Sequence, residues 1–204
     1  MAIVTRLASL TLATALMTAA AVAAPQAGRE APDFSAVDSN GNTVLLSSYK
    51  GKTVVLEWTN HDCPYVRKHY GSQNMQTLQR DAVKDGVVWL SVISSAPGMQ
   101  GYVAGLEANK LTEERKASPT AVLLDPKGTL GKLYGATATP NMFVIAADGK
   151  LIYSGAIDDK PSSSVSDVPG ARNYVREALA AAKTGQPMSP STTRAYGCSV
   201  KYTN

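Results

Sequence analysis

The feature that most constrains this chain is a junction. Residues 53–70, TVVLEWTNHDCPYVRKHY, read as a buried strand that runs directly into a helix, with Cys63 where one becomes the other. Val54 to Leu56 is a run of β-prone apolar residues suited to an interior strand. Pro64 fixes φ near the helical value and lacks an N–H that a first turn could not pair, so a helix starts there. Cys63 therefore falls at the helix N-terminus, where unpaired amides and the positive end of the macrodipole stabilise a thiolate. Arg67, one turn up the same face, adds positive potential, and Asp62 next door opposes it. The competing reading of Cys63 is an inert buried thiol or half of a structural disulfide.

The rest of the chain supplies a context for that thiol. Its 204 residues suffice for one domain with a full core. Residues 1–23 read as a secretory signal peptide: Arg6 is their only charge, Leu7 to Val22 is apolar, and Ala21-Val22-Ala23 offers a small-x-small cleavage site. Export leads to a periplasmic or secreted protein without a membrane span after cleavage, in a compartment that permits disulfides. The formal charge of +4 is weak and spread out, with no basic run of the kind nucleic acid requires. There are two cysteines, Cys63 and Cys198, so one intramolecular bridge is possible.

Punctuation divides the remainder. Asn40-Gly41-Asn42 is a turn between short strands at 34–37 and 43–46. The helix from Pro64 is broken at Gly71-Ser72, resumes through Met75, Leu78 and Ala82, and stops at Asp85-Gly86. Residues 87–93, VVWLSVI, form a strand covered on both faces. A helix is expected over 101–117, a strand at 120–124 and a short helix near 130–134. Asp148-Gly149 joins strands at 142–146 and 151–157 as a hairpin. Residues 171–183 read as a helix, with Tyr174, Ala178 and Ala182 on one face. Residues 185–204, with Pro187, Pro190 and no periodicity, read as an irregular, loose tail. This order implies an α/β fold with a mixed central sheet and helices on both faces.

That order resembles the thioredoxin fold, with an N-terminal β extension. GREAPDF (28–34), YKGKTVVL (49–56), MFVIAADGKLIYSGAIDDKP (142–161) and AYGCSVKY (195–202) resemble the redoxin branch, the AhpC/TSA and peroxiredoxin-like proteins. The resemblance covers residues 28–184 as one redoxin domain. Val66 and Asn60 stand where a CxxC partner would be. Leu56, Asn60 and Pro140 stand where peroxiredoxins carry Pro, Thr and Arg, so the peroxidase constellation is largely missing.

The resemblance implies a set of site residues. Thr139-Pro140 resembles the cis-proline turn that lies against the nucleophile and shapes a substrate groove, with Pro64, Tyr65 and Arg67 as further walls. Glu57, six residues before Cys63, reads either as a buried acid that shuttles a proton to the thiol or as a solvent-facing side chain. His61 is a candidate base or hydrogen-bond partner for the thiolate, and His69 a packing or surface residue. Cys198 is a resolving thiol, one end of a permanent staple, or a cysteine that pairs between chains. No cofactor is expected; the alternative is a soft-metal site on His61, Cys63 and His69, with Met142. The copper-handling branch of the fold uses CxxxC and a distant histidine, and neither is present here. The expected function is an exported thiol-based oxidoreductase, peroxiredoxin-like and antioxidant, with a thiol or disulfide protein as substrate and an external thiol reductant. The alternatives are a thiol peroxidase and a non-catalytic, disulfide-stapled binding or copper-handling module.

Overall fold

The computed structural model describes residues 24–203; the signal peptide expected at 1–23 lies outside the described residues. The chain opens with an antiparallel hairpin, β1 (Ser35–Asp38) and β2 (Thr43–Leu45). Asp38 closes its turn by accepting the Asn40 and Asn42 amides at 2.9 and 2.8 Å. Then come β3 (Val54–Trp58), α1 (Pro64–Gly71), α2 (Asn74–Lys84), β4 (Val88–Ile93), α3 (Gly105–Glu114), β5 (Ala121–Leu124) and α4 (Thr129–Tyr134). The second half adds β6 (Ala138–Thr139), β7 (Asn141–Ile145), β8 (Leu151–Gly155), α5 (Tyr174–Thr184) and β9 (Cys198–Ser199).

Seven strands form one mixed sheet in the order β2-β1-β5-β4-β3-β7-β8. The central β3, β4 and β5 are parallel, and β7 runs antiparallel to β3 with Glu57 opposite Met142. Strand alternation sorts the core into two layers. Val54, Leu56 and Trp58 pack with Leu90, Tyr134 and Phe143 on one face. Val55 packs with Val66, Leu78, Trp89, Val144 and Val175 on the other. A smaller cluster, Ile93, Val103, Ala108 and Val122, sits under α3. This is the expected thioredoxin-like arrangement.

Three local expectations are corrected. The helix expected from residue 101 starts at Gly105, because 97–101 is spent in turns and 102–104 is irregular. The last helix starts at Tyr174, capped by the Asn173 side chain, which accepts the Arg176 amide at 3.0 Å. The tail is irregular over most of its length but not loose. Its β9 pairs antiparallel with β6, Cys198 opposite Thr139, and the Ala96 amide donates to the Lys201 carbonyl at 2.9 Å. Tyr202 donates to the Ala136 carbonyl at 2.7 Å. Paired backbone and a seated aromatic replace the periodicity that a sequence pattern would show.

Candidate active site

The site is built where β3 ends. After Trp58 the backbone turns through Asn60, whose carbonyl accepts the Cys63 amide at 3.0 Å and whose side chain accepts the Asp62 amide at 2.9 Å. Cys63 is then the N-cap of α1, extended at φ −73°, ψ 124°, with Pro64 as the first helical residue. Thr139-Pro140 is a cis peptide directly across from it. The Cys63 thiol donates to the Thr139 carbonyl at 3.2 Å, and the Cys198 amide donates to the Cys63 sulfur at 3.4 Å. The two cysteines, 135 residues apart in sequence, are thus brought together, both as free thiols.

Their environments differ. Burial pushes the Cys63 thiol up, but the Cys198 thiol, the Thr139 side chain and the Cys198 and Val66 amides favour its anion, and it ends below the ordinary thiol value. Cys198 is pushed up to about 11, first by burial and then by its bond to Cys63 and the charge there. The two sulfurs are thus shifted in opposite directions, Cys63 toward its anion and Cys198 toward the protonated thiol.

Cys63 is not open to solvent, the burial that the competing reading of an inert thiol also expects: its exposure is 0%. The cover is the tail. Gly197 lies on the Thr139 carbonyl and the Tyr65 side chain at φ +130°, and a Cβ there would collide with that carbonyl oxygen. The Tyr65 ring meets Tyr196 edge-on at 5.9 Å. Pro64 is exposed beside them.

The remaining candidates are distributed differently than expected. His61 sends Nε2 to Asp62 at 3.4 Å and makes no hydrogen bond to Cys63. Arg67 bonds Asp62 at 2.9 Å and the His61 carbonyl at 3.1 Å, so its charge is committed at the surface. Glu57 is buried rather than solvent-facing, held by Tyr70 at 2.9 Å, Gln79 at 3.0 Å, Trp89 Nε1 at 2.8 Å and Ser91 at 3.0 Å. None of those donors is Cys63. His69 is fully buried, with Nδ1 against Asn74 at 3.0 Å and Nε2 against Tyr196 at 3.3 Å. His61, Cys63 and His69 are not assembled as a ligand set, and among the described residues no three His, Cys, Asp or Glu side chains are.

Two side chains that the sequence reading passed over belong to this region. Lys68 and Asp158, 0% and 1% exposed, form a buried ion pair at 3.5 Å beside His69 and Tyr196. The one signal was the tail segment itself, in which Tyr196 precedes Gly197 and Cys198.

The family model for Redoxin matches residues 26–174. The chain belongs to the Redoxin family. This redoxin is 24% identical over 132 residues to "Thiol-disulfide oxidoreductase ResA" of Bacillus thuringiensis subsp. konkukian, covering 61% of this chain and 66% of that protein. It therefore spans just under two-thirds of the curated relative's length. Among solved structures, a conserved protein of Geobacillus kaustophilus superposes with a TM-score of 0.73 at 25% identity, covering 87% of this redoxin and 93% of that chain. A protein of Chlorobium tepidum assigned as a thiol:disulfide interchange protein DsbE gives 0.52 at 26% identity, covering 64% and 85%.

Proposed function

We propose that this redoxin is an exported thiol–disulfide oxidoreductase in which Cys63 is the nucleophile and Cys198 the resolving thiol. The observation that carries the reading is the Cys198 amide on the Cys63 sulfur at 3.4 Å, joined to the opposite drift of the two thiols. The names of its relatives supply the class of chemistry, and the apolar leader at 1–23 supplies the compartment, with the redoxin domain at 28–184 and the tail at 185–204.

The chemistry balances with two electrons. The Cys63 thiolate attacks one sulfur of a substrate disulfide, the S–S bond breaks, and the leaving sulfur takes a proton. A mixed disulfide now joins Cys63 to the substrate. The Cys198 thiol gives its proton to the departing substrate sulfur and attacks Cys63. The substrate leaves as two thiols, and Cys63–Cys198 becomes a disulfide. An external thiol reductant, oxidised in turn, restores the pair. Thr139-Pro140 and Tyr65 wall the groove in which the substrate docks. Because Cys63 is covered in the reduced form, the tail lifts before the first attack.

Equilibration with glutathione redox buffers tests this. A working pair has a potential above about −300 mV and a structural staple lies below it. Cys198→Ser should accumulate mixed disulfides at Cys63; a correctly folded variant that accumulates none sinks the assignment. Hydrogen peroxide consumption no faster than that of free cysteine would exclude the thiol-peroxidase alternative.

A further inference from the structure

Tyr196 stands two residues before Cys198, and its phenol enters a socket that the sulfur chemistry does not use. Lys68 and His69 on α1 and Asp158 beyond β8 build the socket, all three buried. Asn74 donates to His69 Nδ1 at 3.0 Å, so the proton resides on Nε2, which donates to the Tyr196 hydroxyl at 3.3 Å. Lys68 Nζ donates to the same hydroxyl at 3.4 Å and to the Lys160 carbonyl at 2.7 Å. The Tyr196 hydroxyl donates to Asp158 Oδ1, which also accepts the Lys160 amide at 2.9 Å. One hydroxyl thus donates once and accepts twice, its full capacity. The other Asp158 oxygen, Oδ2, is buried without a hydrogen-bond partner, so this carboxylate depends on Oδ1 and on Lys68.

The socket lies on one side of Cys198 and the seat of Tyr202 lies on the other, where its ring packs on Gly128 and Gly131. The tail is therefore pinned on both flanks of the second sulfur. The Tyr202 side is largely ring-to-backbone contact, whereas the Tyr196 side consists of hydrogen bonds to charged groups.

We propose that Tyr196 is the positioning residue of the resolving step: its socket holds Cys198 on Cys63, and its release uncovers Cys63 for substrate. This rests on the redox-pair reading above. With the tail seated, Cys63 has no exposed surface, so its reactivity is its intrinsic reactivity multiplied by the fraction of lifted tails. Weakening the socket raises that fraction and lowers the local concentration of Cys198 in the same proportion. Attack on Cys63 becomes faster and resolution becomes less favourable. General destabilisation of the domain does not produce that opposed pair of effects.

The test is Tyr196→Phe in the full-length protein, which keeps the ring and removes the hydroxyl. Hydrogen bonds to charged groups of this kind are worth roughly a factor of ten or more in an equilibrium constant. In a Cys198→Ser background, iodoacetamide should modify Cys63 about ten times faster after the change, with unaltered circular dichroism. With both cysteines present, equilibration with glutathione should shift about tenfold from the internal disulfide toward the mixed disulfide. Unchanged alkylation and unchanged equilibrium overturn the proposal, as does a shift of both in the same sense. Hydrogen exchange in the unsubstituted protein is independent of whether the variant folds. The Val200 amide, bonded to the Thr137 carbonyl at 3.2 Å, should report the same opening constant as Cys63 alkylation. Clearly different constants overturn the proposal. A Cys63–Cys198 bridge that never exchanges with glutathione defeats the redox reading alone, because the alkylation and exchange arms remain informative.

Discussion

Two buried acids lie on the same face of the sheet as Cys63, and they are treated in opposite ways. Glu57 is enclosed by four donors, Tyr70, Gln79, Trp89 and Ser91, all carried by elements of the domain core. Asp158 has one oxygen without a hydrogen bond and draws part of its satisfaction from Tyr196, a residue of the tail. A satisfied buried network rigidifies; a network completed by a detachable segment ties that segment's position to the electrostatics of the site. The comparison separates a polar cluster built within the domain core from one completed by a residue of the tail.

The largest effect is expected at the first cluster. Glu57→Ala leaves the buried donors of Tyr70, Trp89 and Ser91 without an acceptor, Gln79 keeping only the Tyr70 hydroxyl at 3.2 Å, and should cost about 3–5 kcal/mol in urea unfolding. Cys63 alkylation in the folded variant should stay at its original rate. Acceleration under native conditions would instead make Glu57 part of the thiol chemistry and erase the distinction.

The next effect belongs to the second cluster. Burial depresses His69 to about 4, against the attraction of Asp158 and with the repulsion of Lys68. The unfolded chain therefore binds this proton first. Stability from this source is complete above about pH 6.5 and falls away as pH drops toward 4, by on the order of 3 kcal/mol. His69→Gln should remove that part of the acid sensitivity; an unchanged acid profile would place its origin elsewhere.

Gly197→Ala probes the tail where it crosses the Thr139 carbonyl. The positive φ and the missing space for a Cβ predict a loss of about 2 kcal/mol in tail docking, read as faster Cys63 alkylation and faster proteolysis after α5. The smallest effect serves as the control. Arg176 pairs with Asp81 at 3.4 Å with both side chains about half exposed, so Arg176→Ala should change stability by less than about 0.5 kcal/mol.

The fold was legible because its boundaries are local. Pro64, Gly86, the Asn40-Gly41 turn and the Asp148-Gly149 hairpin each announce an element within a few residues, and the continuous apolar strands announce a sheet covered on both faces. The position of Cys63 at a helix start was legible for the same reason. The rest of the site is non-local. Lys68 falls among polar residues on α1, and its burial comes with contacts to Asp158 and Lys160 of one loop and to Tyr196 of the tail, all distant in sequence. His61 and Arg67 are neighbours of Cys63 in sequence, but Asp62 supplies a nearer partner for both. A two-residue strand such as β9 has no period to detect, so its register against β6 appears only once both are folded.

That register has a thermodynamic consequence. Oxidation would close a ring spanning 135 positions of sequence, unlike the tiny ring of a CxxC motif. A cross-link of that span restricts the denatured chain by roughly 5 kcal/mol in the loop-entropy account. Around a closed cycle the same quantity must return as resistance of the bridge to reduction. Melting temperature and reduction potential are therefore two readings of one coupling, and a change that loosens the oxidised fold more than the reduced one makes the bridge easier to reduce.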